Sequence, residues 1–123
     1  MTADPRALGT TDEIVIRDVP EHSRYEARVR TGDARQELDG VGVAAYARQP
    51  GTIVLLHTEV PPSLGGRGVG QALARYVLED ARRGGLAVVP HCPFIAAFIR
   101  RHWEYADLVP EAARGLLRPR DGK

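Results

Sequence analysis

The sequence predicts one α/β (more strictly α+β) domain: a mixed, mostly antiparallel sheet with a single parallel β-α-β unit, in the order β-β-β-β-α-β-α. Three observations predict it. Four apolar or alternating segments fill the stretch from residue 13 to residue 60, and polar turns separate them. The apolar period then changes from two to about 3.6 after residue 68. At 123 residues the chain is long enough for one modest core and too short for two.

The elements follow in order. "EIVIRDV" (13–19) is β-branched and reads as a strand, closed by the turn "PEHS". "RYEARVR" (24–30) alternates: Tyr25, Ala27 and Val29 on one face, Arg24, Glu26, Arg28 and Arg30 on the other. "TGDARQELDG" (31–40) is polar and reads as a long hairpin loop. "VGVAAYARQ" (41–49) is the third predicted strand, and "QPG" a tight turn. "TIVLLHTEV" (52–60) begins almost wholly apolar, which places this fourth strand centrally. From residue 68 to 83, Val69, Leu73, Tyr76, Val77 and Ala81 fall on one helical stripe, and Gly84 and Gly85 supply the stop. "LAVVP" (86–90) is a short buried strand. "PFIAAFIRRHWEY" (93–105) is a second helix with Pro93 in its first turn. Short turns make the first four strands antiparallel. The helical crossover makes the fourth and fifth strands parallel neighbours.

The totals exclude several classes. Hydrophobic residues make up 43% and charged residues 27%, as in an ordinary soluble globule. A net charge of +1 argues against a nucleic-acid binder. One cysteine permits no internal disulfide and no cysteine zinc cluster, which suits a reducing cytoplasm. The start lacks a signal-peptide apolar core, and "TIVLL" is too short to span a bilayer, so no membrane role is expected. The domain is expected to occupy residues 13–110, between a flexible N-terminus (1–12) and a basic tail (111–123) whose Arg114, Arg118 and Arg120 read as exposed.

The informative stretch is "HTEVPPSLGGRGVGQALARYVL" (57–78), where a strand gives way to a helix through two prolines and several glycines. The first N–H groups of a helix have no partner inside it and carry partial positive charge. Glycines remove the β-carbons that would hold a ligand off, so this bend reads as a cradle for a phosphate or pyrophosphate. A side chain at Gly68 or Gly70 would then block it, and Arg67 would add charge at the rim. A P-loop is excluded because no Gly-Lys precedes Ser or Thr. The dinucleotide fingerprint fits poorly, since the spacing is Gly66-x-Gly68-x-Gly70 after the fourth strand rather than the first.

A third pattern, Arg/Gln-x-x-Gly-x-Gly/Ala after a strand, fits better. "GGRGVGQALARYVLEDARRGGLAVVP", with "VVPHCPFIAAFIRRHWEYADLV" behind it, resembles the small single-domain subgroup of the GCN5-related N-acetyltransferases (GNAT) over roughly residues 14–109. The chain departs from that pattern at Gly65, where the loop usually begins with Arg or Gln. The resemblance implies a compact GNAT fold, acetyl-CoA as cosubstrate, and transfer of an acetyl group to a primary amine of a small molecule or protein. It implies a V-shaped opening between the fourth and fifth strands. Thr58, Glu59 and Val60 would flank the pantetheine arm there, and the amides of Gly65, Gly66, Arg67, Gly68, Val69 and Gly70 would take the pyrophosphate. A non-catalytic acyl-CoA-binding or sensing module on the same fold is the alternative. So is a scaffold that has lost its ligand.

Three residues are candidates for the chemistry. His57 and Glu59 alternate on the fourth strand and share a face. The imidazole of His57 is suited to accept and return a proton, and Glu59 would act as base through a water. Each also reads as an ordinary polar residue at a strand end. Cys92 directly precedes a helix, where a thiol is activated by the helix N-terminus. It reads equally as a nucleophile, a proton donor or a small buried hydrophobe. The resemblance implies a cysteine at this place. His91 beside it points the other way, while His22 and His102 read as surface positions. Tyr105 stands late for the tyrosine acid of the wider superfamily. No His, Asp and Glu set has metal-ligand spacing, so no metal is expected. A monomer and a homodimer both suit the chain.

Overall fold

In the computed structural model, which describes residues 12–32 and 36–118, six strands form one sheet in the order β1-β2-β4-β5-β6, with β3 paired to β2. The strands are β1 (Glu13–Val19), β2 (Arg24–Thr31), β3 (Gln36–Glu37), β4 (Gly42–Gln49), β5 (Thr52–Glu59) and β6 (Ala87–Pro90). Two α-helices follow the antiparallel part, α1 (Val69–Arg83) and α2 (Pro93–Arg101). Every predicted element is present. The polar loop also contains β3, a two-residue strand too short to carry a pattern. The expected flexible N-terminus lies outside the described residues apart from Asp12, as do residues 33–35 and 119–123.

The alternation in β2 places its residues as read. Tyr25, Ala27 and Val29 are buried, while Arg28 and Arg30 stand in solvent. Glu26 is the exception on the outer face: it is almost fully buried, between Arg24 (2.8 Å) and Arg28 (3.6 Å). The Arg24 hydrogen bond holds its carboxyl below the usual range, with Arg28 adding to the effect. Two tyrosines on the inner face span the core to helix and strand. Tyr25 donates to Asp80 of α1 and Tyr46 donates to Asp18 of β1, both at 2.6 Å. Burial first, and then the carboxylate partner, raises both phenols well above their ordinary range.

The crossover is as expected: β5 and β6 pair in parallel, Thr52 beside Ala87 through Leu55 beside Pro90. Helix α1 buries Val69, Leu73, Ala74, Val77, Leu78 and Ala81 against the sheet. Its C-terminus closes as a Schellman motif. Gly85 takes the left-handed conformation (φ 68°) and donates to Arg82, while Leu86 donates to Ala81 at 2.9 Å.

Two segments differ from the sequence reading. The second helix stops at Arg101 rather than 105, because His102 leaves helical geometry (φ −129°). Its ring stacks on Phe98 at 4.0 Å and its Nδ1 bonds the Phe98 carbonyl, so His102 is half-buried and not a surface position. The chain continues as a 3-10 helix, Trp103–Leu108, that drops Tyr105 into the core. Residues 111–117, read as the start of a basic tail, form another 3-10 helix beside α2 and β6, with Leu117 buried.

The feature with most consequence for function is a β-bulge in β5. Tyr46 pairs with Leu55 and Ala45 with His57, so Leu56 has no partner and is exposed. One extra residue reverses the in-out phase of everything after it.

Candidate functional site

The bend after β5 is built from a rigid half and a pliant half. Pro61 and Pro62 end the strand, and a single 3-10 turn, Pro62–Leu64, buries Leu64 completely beneath the loop. Then Gly66 (φ 78°) and Gly68 (φ 77°) adopt left-handed backbone that side chains disfavour. A β-carbon at either would point into open space. Gly68 is the residue before α1, and no side chain caps that helix end. The first N–H groups of α1 therefore face outward over a cleft of about 310 Å³, walled by Val60, Pro61, the glycines and Phe94.

Two residues of this loop have contacts of their own. Gly70 lines the same cleft as Gly68 and is also constrained from the side of α2. A β-carbon there would meet Phe94 Cζ at 3.0 Å, so its smallness serves the approach of α2 to α1. Arg67 is turned to the protein itself. Its Nε lies 3.2 Å from an Asp12 carboxylate oxygen and its guanidinium donates to the Gly65 carbonyl.

The second component is an opening in the sheet. Pairing of β5 with β6 ends at Leu55 and Pro90, yet β5 runs on to Glu59. The last bond across is Cys92 N–H to the Leu55 carbonyl at 2.9 Å. Beyond it, β6 has turned into α2, and residues 57–59 of β5 pair with β4 alone. The unpaired side leads directly to Val60 and Pro61, which line the cleft at the glycine loop.

The bulge sorts the candidate side chains onto two faces of this opening. Thr58 pairs with buried Ala44 and so points to the helix-covered face, where its Oγ1 lies 3.4 Å from Cys92 Sγ. Cys92 is 1% exposed and stands immediately before α2. His57 and Glu59 pair with Ala45 and Val43 and are both exposed on the opposite face. The structure thus brings Thr58 and Cys92 together, brings His57 and Glu59 to a shared face, and keeps the two pairs apart. His91 is exposed, away from the buried thiol of its neighbour.

Sequence reading missed the side chain of Thr58 as a partner of Cys92, and it missed Phe94. An aromatic in the first turn of a helix beside a glycine-rich loop was the available signal for Phe94. No residue type marks the bulge that turns Thr58 inward. Tyr105 is accounted for differently: it donates to Glu79 at 2.6 Å, accepts from Arg75 at 3.1 Å and is 2% exposed. Burial and then Glu79 raise its phenol above the ordinary value. Among the described residues no group of three or more His, Cys, Asp or Glu is arranged to hold a metal ion. No helix among them is long and apolar enough to cross a membrane.

Comparison with known proteins bears on this geometry. No curated protein matches the chain. The sequence profile of a family described as GCN5-related N-acetyl-transferase matches residues 24–108, a span that contains β2 through α2, the glycine loop and the opening beside β5. The chain belongs to the GCN5-related N-acetyltransferase family.

Proposed function

We propose that the protein transfers an acetyl group from acetyl-CoA to a primary amine, without a metal. The observation that carries this reading is the continuity of two features. The unpaired edge of β5 at residues 56–59 runs into a cleft lined by uncapped helix N–H groups and open-sided glycines. An extended amide-bearing chain ending in a pyrophosphate needs those two features in that order. Residues 58–60 would pair with the pantetheine arm, and the backbone around Gly66, Gly68 and the first turn of α1 would hold the pyrophosphate. Bound there, the cosubstrate supplies an activated acyl thioester.

The chain's own groups then divide the proton work by face. An amine reaching the opening from the exposed face meets His57 and Glu59. His57 takes the proton that the nitrogen loses as it bonds to the carbonyl carbon, or Glu59 takes it through a water. On the buried face the Cys92 S–H would return a proton to the departing thiolate as the carbon–sulfur bond breaks. The near-complete burial of Cys92 and its contact with Thr58 favour this role over that of an exposed nucleophile.

The test is release of free CoA thiol from acetyl-CoA across a panel of small amines and lysine peptides. Amine-dependent release that falls in His57→Ala or Glu59→Gln supports catalysis. CoA binding with no amine-dependent release would instead support a binding or sensing module.

A further inference from the structure

A second cleft lies elsewhere on the molecule. A groove of about 410 Å³ separates α2 from the 3-10 helix Glu111–Leu117, and it shares no lining residue with the cleft at the glycine loop. Its volume is in the range that small-molecule ligands occupy. Part of its wall is apolar, formed by Pro90, Pro93, Ala96 and Leu116. Its charged lining is of one sign. Among the described residues Arg100 and Arg118 line it together with His91, and no carboxylate does. Arg100 reaches across, donating one N–H to the Leu117 carbonyl at 3.2 Å, which holds its guanidinium at the groove. Gly115 contributes no side chain, and a β-carbon there would meet nothing within 4 Å.

We propose that this groove binds an organic acid: one carboxylate carried on a compact apolar body. Two guanidiniums with no neutralising carboxylate favour an anion, and their planar forks match a carboxylate better than a compact charge. The apolar part of the wall, Pro90, Pro93, Ala96 and Leu116, favours a hydrophobic body behind it. The site follows from the packing of residues 111–117 on α2, and it does not depend on the acetyl-transfer reading.

Hexanoate is the probe, with hexanamide as its neutral match, followed by amide chemical shifts in the full chain. Hexanoate is expected to shift residues 93–96 and 115–118 saturably while leaving residues 66–71 unmoved. Hexanamide is expected to bind at least about tenfold more weakly. Arg118→Glu should weaken hexanoate by about tenfold or more. Gly115→Leu, which adds a side chain at a lining position where a β-carbon meets nothing within 4 Å, should weaken the response by about tenfold or more. Arg118→Gln, an uncharged change at the same position, should give a smaller loss and covers the case in which the other variants do not fold. Equal binding of hexanoate and hexanamide overturns the proposal. So does the lack of any saturable shift in the groove, or affinity unchanged in folded Arg118 and Gly115 variants.

Discussion

Thr58 Oγ1 and Cys92 Sγ lie 3.4 Å apart, and this contact links the unpaired edge of β5 to the residue that starts α2. It exists because the bulge at Leu56 turns Thr58 inward. If Cys92 returns a proton to the leaving thiolate, Cys92→Ala should lower kcat by roughly 10²-fold while leaving the KM for acetyl-CoA nearly unchanged. Cys92→Ser should retain part of the rate. Rapid-quench mass spectrometry should find no acetyl group on Cys92; an acetylated cysteine would replace direct transfer with a relay.

Gly68 and Gly70 should fail in different ways. Gly68→Ala places a side chain at φ 77°, a strain of about 1–2 kcal/mol, and raises a methyl into the cradle. CoA affinity should fall by about tenfold or more, beyond what the loss of stability explains. Gly70→Ala instead presses on Phe94, at 3.0 Å from Cζ. Urea unfolding should show a net loss of about 1 kcal/mol, overpacking outweighing the better helix propensity of Ala. Phe94→Leu should restore it in the double variant.

Tyr105 is a structural phenol, and its removal separates stability from turnover. Tyr105→Phe removes the hydroxyl that half-buried Glu79 and exposed Arg75 share. A loss of about 0.5–1.5 kcal/mol is expected, visible as a Tm a few degrees lower. Acetyl transfer per folded molecule should be unchanged. A selective loss of kcat at full stability would make Tyr105 part of the chemistry.

Glu26 sets an acid limit on stability. Its carboxyl titrates below the usual range because Arg24 bonds its ionised form. The unfolded chain therefore binds the proton first as pH falls, so the contribution of Glu26 is complete above the ordinary carboxylate pKa of about 4.3. It is lost as pH drops through the lower folded-state value. Glu26→Gln should lower Tm at pH 7, and its Tm should depend less on pH below 5 than that of the unmodified chain. Identical acid slopes would remove Glu26 from this role.

Most of the sheet was legible because burial on one face writes itself into the residues, as Tyr25, Ala27 and Val29 alternate with charged neighbours. The glycine loop was legible because left-handed backbone at 66 and 68 demands glycine. The bulge was not: "TIVLLHTE" reads as an unbroken strand, and the cross-strand register that expels Leu56 comes from β4. The division of the candidate site into two faces was therefore hidden as well. His57 and Glu59 shared a face as the alternation says, while Thr58 joined Cys92 through a phase change no local rule reveals. The end of α2 was obscured because Trp103 and Tyr105 extend its apolar pattern, although His102 breaks the backbone. "EAARGLL" gave no helical period, since a 3-10 segment held by its neighbours needs none.

Acetyl transfer by this chain requires acetyl-CoA to occupy the opening beside β5 and the cradle after it. Amide chemical shifts during a titration with acetyl-CoA test this most directly. The expected result is saturable shifts concentrated at residues 57–60 and 66–71 and at Cys92, lost in Gly68→Ala. No saturable shift at millimolar acetyl-CoA, or shifts confined to other residues, would contradict it.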